Sequence, residues 1–243
     1  MPSQTDVREK QMKAIILAAG MGKRLGSSMP KPLTILVNGK TIMDFQVERL
    51  SSIVGIKNII VVVGYKKEMI MEKFPQLSFV YNDAFAQTNT SKSLLLALRN
   101  VSDDTMWLNG DVYFDADAPK LLLNVGFSCC LVDRKMCGHE EVKYDLNEDG
   151  FIHHISKNIP KPQGECLGVN IILKKDLDIF RDELEKVGNQ DYFEEALENL
   201  TVFKKISLKP VEVGAFYCHE IDFEEDLTVV KDYLITQDGI AKQ

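Results

Sequence analysis

No apolar run in this chain reaches the roughly 18 residues that a membrane-spanning helix needs, so no membrane partner is expected. The first eleven residues are polar and offer no apolar core for a signal peptide. Cysteine is sparse and odd in number, with five residues and no C-x-x-C pair. That excludes a disulfide framework and points to reduced thiols in a cytoplasmic protein. Histidine occurs four times. His139, His153, His154 and His219, with Cys137 or Cys218, invite a zinc reading, but Cys137-x-His139 has no second pair at metal-ligand spacing, and no zinc site is expected. There is no G-x-S-x-G elbow for a serine hydrolase and no G-x-x-x-x-G-K-[S/T] nucleotide loop. Tryptophan occurs once, at position 107, so an aromatic cage for a quaternary ammonium group is not evident. The net charge of −7 argues against nonspecific binding to nucleic acid, which needs a basic face.

Against that acidic balance, one stretch is basic. From Met12 to Pro32 there is no acidic residue, while Lys23, Arg24 and Lys31 add positive charge. The stretch opens as a buried apolar run over residues 14–17 and changes abruptly into a glycine-rich loop holding Gly20, Gly22 and Gly26. Glycines let backbone approach a ligand closely, and successive N–H groups in such a loop form an anion nest. The spacing is not that of the dinucleotide fingerprint, because the third glycine comes one residue late. Pro30 and Pro32 also oppose a helix directly behind the loop. The pattern reads as a polyphosphate cradle at the carboxyl end of a first strand.

Strand and helix signals then alternate. Strands are expected at 33–37, 58–63, 77–81 and 105–108. Helices are expected at 41–51, capped by Thr41, at 66–73, at 94–99 and at 117–123. This is the βαβ pattern of a mostly parallel sheet. The second half is richer in strands, at 127–132, 143–146, 151–155, 168–173, 202–206 and 211–213. Helices are expected at 176–185, 192–200 and 224–235. The expectation is a loose tail over residues 1–11 and a single α/β domain over 12–243, with a β-rich acceptor-side part at about 138–215.

The string Leu17-Ala18-Ala19-Gly20-x-Gly22-x-Arg24-Leu25-Gly26, followed by Pro30-Lys31-Pro32-Leu33, resembles the signature of nucleotidyltransferases. These enzymes join a nucleoside triphosphate to a phosphorylated small molecule. The resemblance implies a glycosyltransferase-A-like, Rossmann-related fold: a mostly parallel mixed sheet flanked by helices, with a small antiparallel acceptor-side portion. It implies Arg24 and Lys31 as triphosphate ligands. Asp111 closes an apolar strand as Leu108-Asn109-Gly110-Asp111, and in the family a Gly-Asp at this place holds Mg²⁺. Glu220-Ile221-Asp222-Phe223-x-x-Asp226-Leu227 resembles the closing motif of the cytidylyltransferase branch, where the Asp222 position completes the metal site. Either aspartate can also serve structurally, as a turn cap at 111 or an N-cap at 222.

The base pocket is expected from Leu17, Ala18, Ala19 and Gly64 and from Asn89, Thr90 and Ser93, the last three equally readable as a helix cap. By resemblance Lys157 reaches the acceptor phosphate. Tyr192 and Glu194, with Asp191 and Glu195 beside them, stand where a helix start can face the acceptor. The sequence thus points to a Mg²⁺-dependent enzyme that couples CTP to a phosphorylated small molecule, for surface polysaccharide or lipid decoration. It is expected to act as a monomer or homodimer. A uridylyl- or guanylyltransferase acting on a hexose-1-phosphate is the rival enzyme. A nucleotide-sensing module without turnover is the rival of another class.

Overall fold

The β-branched and aliphatic runs become one large sheet. The computed structural model describes residues 12–22 and 29–240. Its first half alternates as β1 (Met12–Ala18), α1 (Ile42–Val54), β2 (Ile59–Val63), α2 (Lys67–Lys73), β3 (Ser78–Tyr81), α3 (Thr90–Leu98) and β4 (Asp104–Asn109). Its second half runs β5 (Val112–Phe114), β6 (Ser128–Asp133), β7 (Lys143–Leu146), β8 (Ile152–Ser156) and β9 (Gly164–Ile172). It ends α4 (Lys174–Lys186), α5 (Phe193–Val202), β10 (Leu208–Glu212), β11 (Cys218–Glu220) and α6 (Glu224–Ile240). Nine strands share one sheet in the order β3-β2-β1-β4-β9-β6-β10-β8-β7. The β3-β2-β1-β4 part is parallel. From β9 onward the pairing is antiparallel, apart from β6 with β10.

β1 sits where successive crossovers diverge, with β2 on one side and β4 on the other. The crevice beyond the carboxyl ends of such strands is where open α/β sheets bind ligands. Local chemistry fixes the flanking helices. Thr41 Oγ1 accepts from the Asp44 N–H at 3.2 Å and Asp44 accepts from the Thr41 N–H at 2.7 Å, a complete capping box for α1. Lys92 of α3 donates to the carbonyls of Leu184 and Val187, satisfying the C-terminal end of α4. Among the described residues, no helix is long and apolar enough to cross a membrane.

Two expected strands are absent. Around residues 33–37 the chain makes a 3₁₀ turn at Lys31–Leu33, and only Ile35 forms a bridge, with Thr41. The prolines remove ladder donors there, and the turn at Asn38 and Gly39, both at positive φ, folds the chain straight back. At 202–206, Val202 ends α5, Lys204 takes a left-handed φ, and the N–H groups of Lys205 and Ile206 return to the Leu200 carbonyl. That stretch is a helix C-cap rather than a strand. Conversely, β5 and β11 form a two-stranded antiparallel ribbon that the sequence did not suggest, pairing Glu220 with Val112.

The core lies on both faces of the sheet. On one face the indole of Trp107 is fully buried and packs 5.3 Å from the Phe180 ring and 5.6 Å from the Phe193 ring. Its Nε1–H has no partner, so apolar burial alone holds it there. Trp107→Ala is expected to cost about 3–5 kcal/mol of stability, read as a lowered urea midpoint. A cost below about 1 kcal/mol would contradict this packing.

Candidate active site

The end of β1 opens into a cavity of about 530 Å³, a size suited to a nucleotide-scale ligand. One wall is the β1 loop, from Leu17 to Gly22. At Gly20 an added Cβ would meet nothing, so the bare backbone there faces open space. Gly22 has a φ of +57°, and an added Cβ would stand 2.9 Å from Lys31 Cβ. The loop can therefore close over Lys31 only as glycine. Lys23, Arg24, Leu25 and Gly26 lie outside the described residues, and the Arg24 expectation with them.

Lys31 is the centre of the arrangement. Its Nζ donates to Asp111 Oδ2 at 2.8 Å and to Asp222 Oδ1 at 2.5 Å. Burial alone would lower its pKa, but the Asp111 and Asp222 carboxylates outweigh that and hold it above the ordinary lysine value. Two short segments place the aspartates. Asp111 follows β4, at a turn where Gly110 packs so tightly against the Leu17 carbonyl that a Cβ would stand 2.7 Å away. Asp222 is delivered by the β5–β11 ribbon, anchored by the Ile221 N–H on the Asp111 carbonyl at 3.0 Å. At the start of α6, Asp226 accepts from the N–H groups of Asp222 and Phe223.

The ribbon also supplies a residue that sequence reasoning did not assign. Glu220, Asp111 and Asp222 offer carboxylate oxygens that all lie within 4.8 Å of one another. Glu220 and Asp222 are two apart in sequence, and that i, i+2 spacing was the available signal. Enclosure by the cleft walls, then the neighbouring Asp111 and Asp222 charges, push the Glu220 carboxyl well above the usual range. Asp111 Oδ1 is buried without a hydrogen-bond partner. An all-oxygen set with an orphaned carboxylate oxygen fits a hard divalent cation such as Mg²⁺.

The base-side residues split. Leu17, Ala18, Ala19, Asn89, Thr90 and Ser93 line the cavity, and Phe85 joins them. Asn89 also caps α3, accepting from the Thr90 N–H at 2.8 Å, so the cap reading of that cluster holds. Gly64 stands behind the lining. An added Cβ there would meet the Ala19 carbonyl at 2.6 Å, so it serves close packing of β2 behind the loop.

At the far end stand Lys157, Tyr192 and Glu194. Lys157 Nζ contacts Glu140 Oε2 at 3.2 Å and lies 5.7 Å from the Tyr192 ring centre. Asp191 is spent on its loop, accepting from the Gly188 N–H at 2.6 Å, and Glu195 is exposed away from the cavity lining. Cys166 also lines the cavity. The Cys130 sulfur 4.0 Å away and burial keep it a protonated thiol rather than a nucleophile.

Residues 14–132 match the MobA-like NTP transferase domain. The chain is 30% identical over 232 residues to the D-glycero-alpha-D-manno-heptose 1-phosphate guanylyltransferase of Campylobacter jejuni, covering 91% of this chain and 97% of that one. It belongs to the nucleotidyltransferase family. A choline-phosphate cytidylyltransferase from Streptococcus pneumoniae is 41% identical over 98 residues, 38% of this chain and 42% of that protein. The solved inositol-1-phosphate CTP transferase from T. maritima superposes with a TM-score of 0.75 at 22% identity, covering 91% of this chain and 94% of that one. As a nucleotidyltransferase, the protein acts on sugar or other small-molecule phosphates.

Glu194 gives this nucleotidyltransferase a pH signature. Burial pushes its carboxyl to about 7, against the pull of its own backbone N–H and of Lys157. Its Oε2 has no partner. A raised carboxyl contributes stability that is fully present below its unfolded value and is lost as pH rises through 7. Glu194→Gln should therefore gain stability over the parent between pH 5 and pH 8, by up to ~3 kcal/mol, in paired urea titrations. A difference independent of pH would contradict this reading.

Proposed function

We propose that the protein is a Mg²⁺-dependent cytidylyltransferase. The observation that carries the reading is the meeting of Asp111 and Asp222 on Lys31, in a cavity walled by the β1 loop. In this reading the bare backbone of the loop and Lys31 hold the triphosphate, with Arg24 as a further ligand. Leu17, Ala18, Ala19, Asn89, Thr90 and Ser93 bound the base. Lys157 receives the acceptor phosphate, and Tyr192 and Glu194 face the rest of the acceptor.

Asp111 and Asp222, with Glu220 beside them, would hold the magnesium ion, which when bound supplies charge neutralisation at the α-phosphate. An acceptor phosphate oxygen attacks the α-phosphorus in line. The bond from that phosphorus to the β-phosphate oxygen breaks, and pyrophosphate leaves. Positioning and charge account for most of the acceleration in such a transfer. Lys31, a point charge on a flexible stem, follows the developing negative charge once the aspartates take a cation instead.

The cytidine preference is supported by the pneumococcal cytidylyltransferase relative and by the fold shared with the T. maritima CTP transferase. A guanylyltransferase acting on a sugar 1-phosphate is the second reading, favoured by the Campylobacter relative that matches nearly end to end. The acceptor class extends over phosphocholine, phosphoglutamine, inositol phosphate and sugar phosphates, and a cytoplasmic role in surface decoration goes with them.

Pyrophosphate release measured with each of the four nucleoside triphosphates and a panel of these acceptors should be fastest with CTP. A clear preference for GTP would establish the second reading. Asp111→Asn should lower turnover at least about 100-fold while CTP binding stays measurable. Unchanged turnover would refute the metal role.

A further inference from the structure

Outside the cleft, the β7–β8 hairpin gathers a second set of ligand-bearing groups. Asp145, His153 and His154 each offer one ligand atom, and these atoms all lie within 4.8 Å of one another. The arrangement is built rather than accidental. Asp145 falls at a register shift in the ladder, between the Tyr144 and Leu146 pairings, and such a bulge re-aims a side chain. Its Oδ1 accepts from the His154 backbone N–H at 2.9 Å, and its Oδ2 stands 3.0 Å from His154 Nδ1. This hydrogen bond holds the His154 ring against the carboxylate, and a cation held by both groups would take the place of the proton they share.

The second imidazole is the less expected feature. Adjacent strand residues ordinarily point to opposite faces, yet the His153 and His154 ring centres are 4.0 Å apart. The His153 carbonyl accepts from Thr201 Oγ1 of α5 at 2.7 Å, which pins this part of β8. Glu198, on the same helix, is close enough for the charges of His154 and Asp145 to act on its carboxyl. A plain surface hydrogen bond accounts for His154 and Asp145 but not for a second imidazole turned to the same side.

We propose that Asp145, His153 and His154 bind a borderline divalent cation of the zinc class. Two imidazole nitrogens and a carboxylate are a common three-ligand set for zinc, with a fourth position left for water or Glu198. Bonds of about 2 Å need the ligand atoms closer than they now stand, so modest side-chain rotation accompanies binding. The donors differ in kind from the all-oxygen cluster of the cleft, so the two places select different metals. Sequence spacing missed the set because its third member is a carboxylate brought in by strand pairing. β8 runs on into Lys157, and α5 begins beside Tyr192 and Glu194, so a cation here would stiffen the far wall of the cleft.

Long-range ¹H–¹⁵N spectra of the histidine side chains, recorded on the unmutated protein with saturating Mg²⁺, test this directly. Added zinc should shift the His153 and His154 imidazole nitrogens and leave His139 and His219 in place. Calorimetric titration with ZnCl₂ should show one saturable site, weakened at least about tenfold in the folded His153→Asn/His154→Asn protein. Zinc that moves His139 or His219 instead, binding undiminished in the double variant, or no saturable binding overturns the proposal.

Discussion

A buried lysine held between two aspartates organises this molecule. Lys31 comes from the loop behind β1, Asp111 from the end of β4, and Asp222 from the stretch after β11. A lysine this enclosed is costly unless paired, and two carboxylates outweigh the cost. The contact joins segments distant in sequence at the mouth of the sheet. It also keeps Asp111 and Asp222 together, two like charges that would otherwise repel. With Glu220 beside them, the four groups carry an excess of two negative charges when all are ionised. Such a cluster is poised to take a divalent cation.

The rest of the cleft follows from how that contact is framed. The β1 loop turns the bare backbone of Gly20 toward open space in the cleft, and Gly22 allows it to lie against Lys31. Further along, charge is arranged differently. Lys157 is countered by Glu140, while Glu194 is sealed by burial with an orphaned oxygen. The cleft thus runs from a backbone-lined end, where Lys31 meets three carboxylates, to an end where Lys157, acids and an aromatic ring meet.

Much of this was legible in the sequence because strand ends were punctuated. The apolar run into Gly20 and the run into Gly110-Asp111 each marked a strand meeting solvent, and both line the cavity. The alternation up to residue 109 gave the parallel half of the sheet, since long apolar runs leave little choice of period. What escaped was short or tertiary. β5 and β11 have three residues each, too few for a periodic signal, so Glu220 went unassigned. The stretch at 33–37 carried a strand composition that Pro32 and the Asn38-Gly39 turn overrode. At Gly64 the demand for glycine comes from close packing against Ala19 and Phe85, which sequence alone does not show. No sequence pattern pairs His153 and His154 with Asp145, because a bulge does so.

The proposed activity requires a metal and a triphosphate to replace the lysine bridge. Crystals grown with CTP and Mn²⁺, the manganese located by its anomalous scattering, test that replacement most directly. The expected map has one strong peak between Asp111 and Asp222, with Lys31 Nζ moved from the aspartates onto a phosphate oxygen. A manganese peak elsewhere with Lys31 still bridging the two carboxylates, or CTP bound outside the β1 loop, would contradict it.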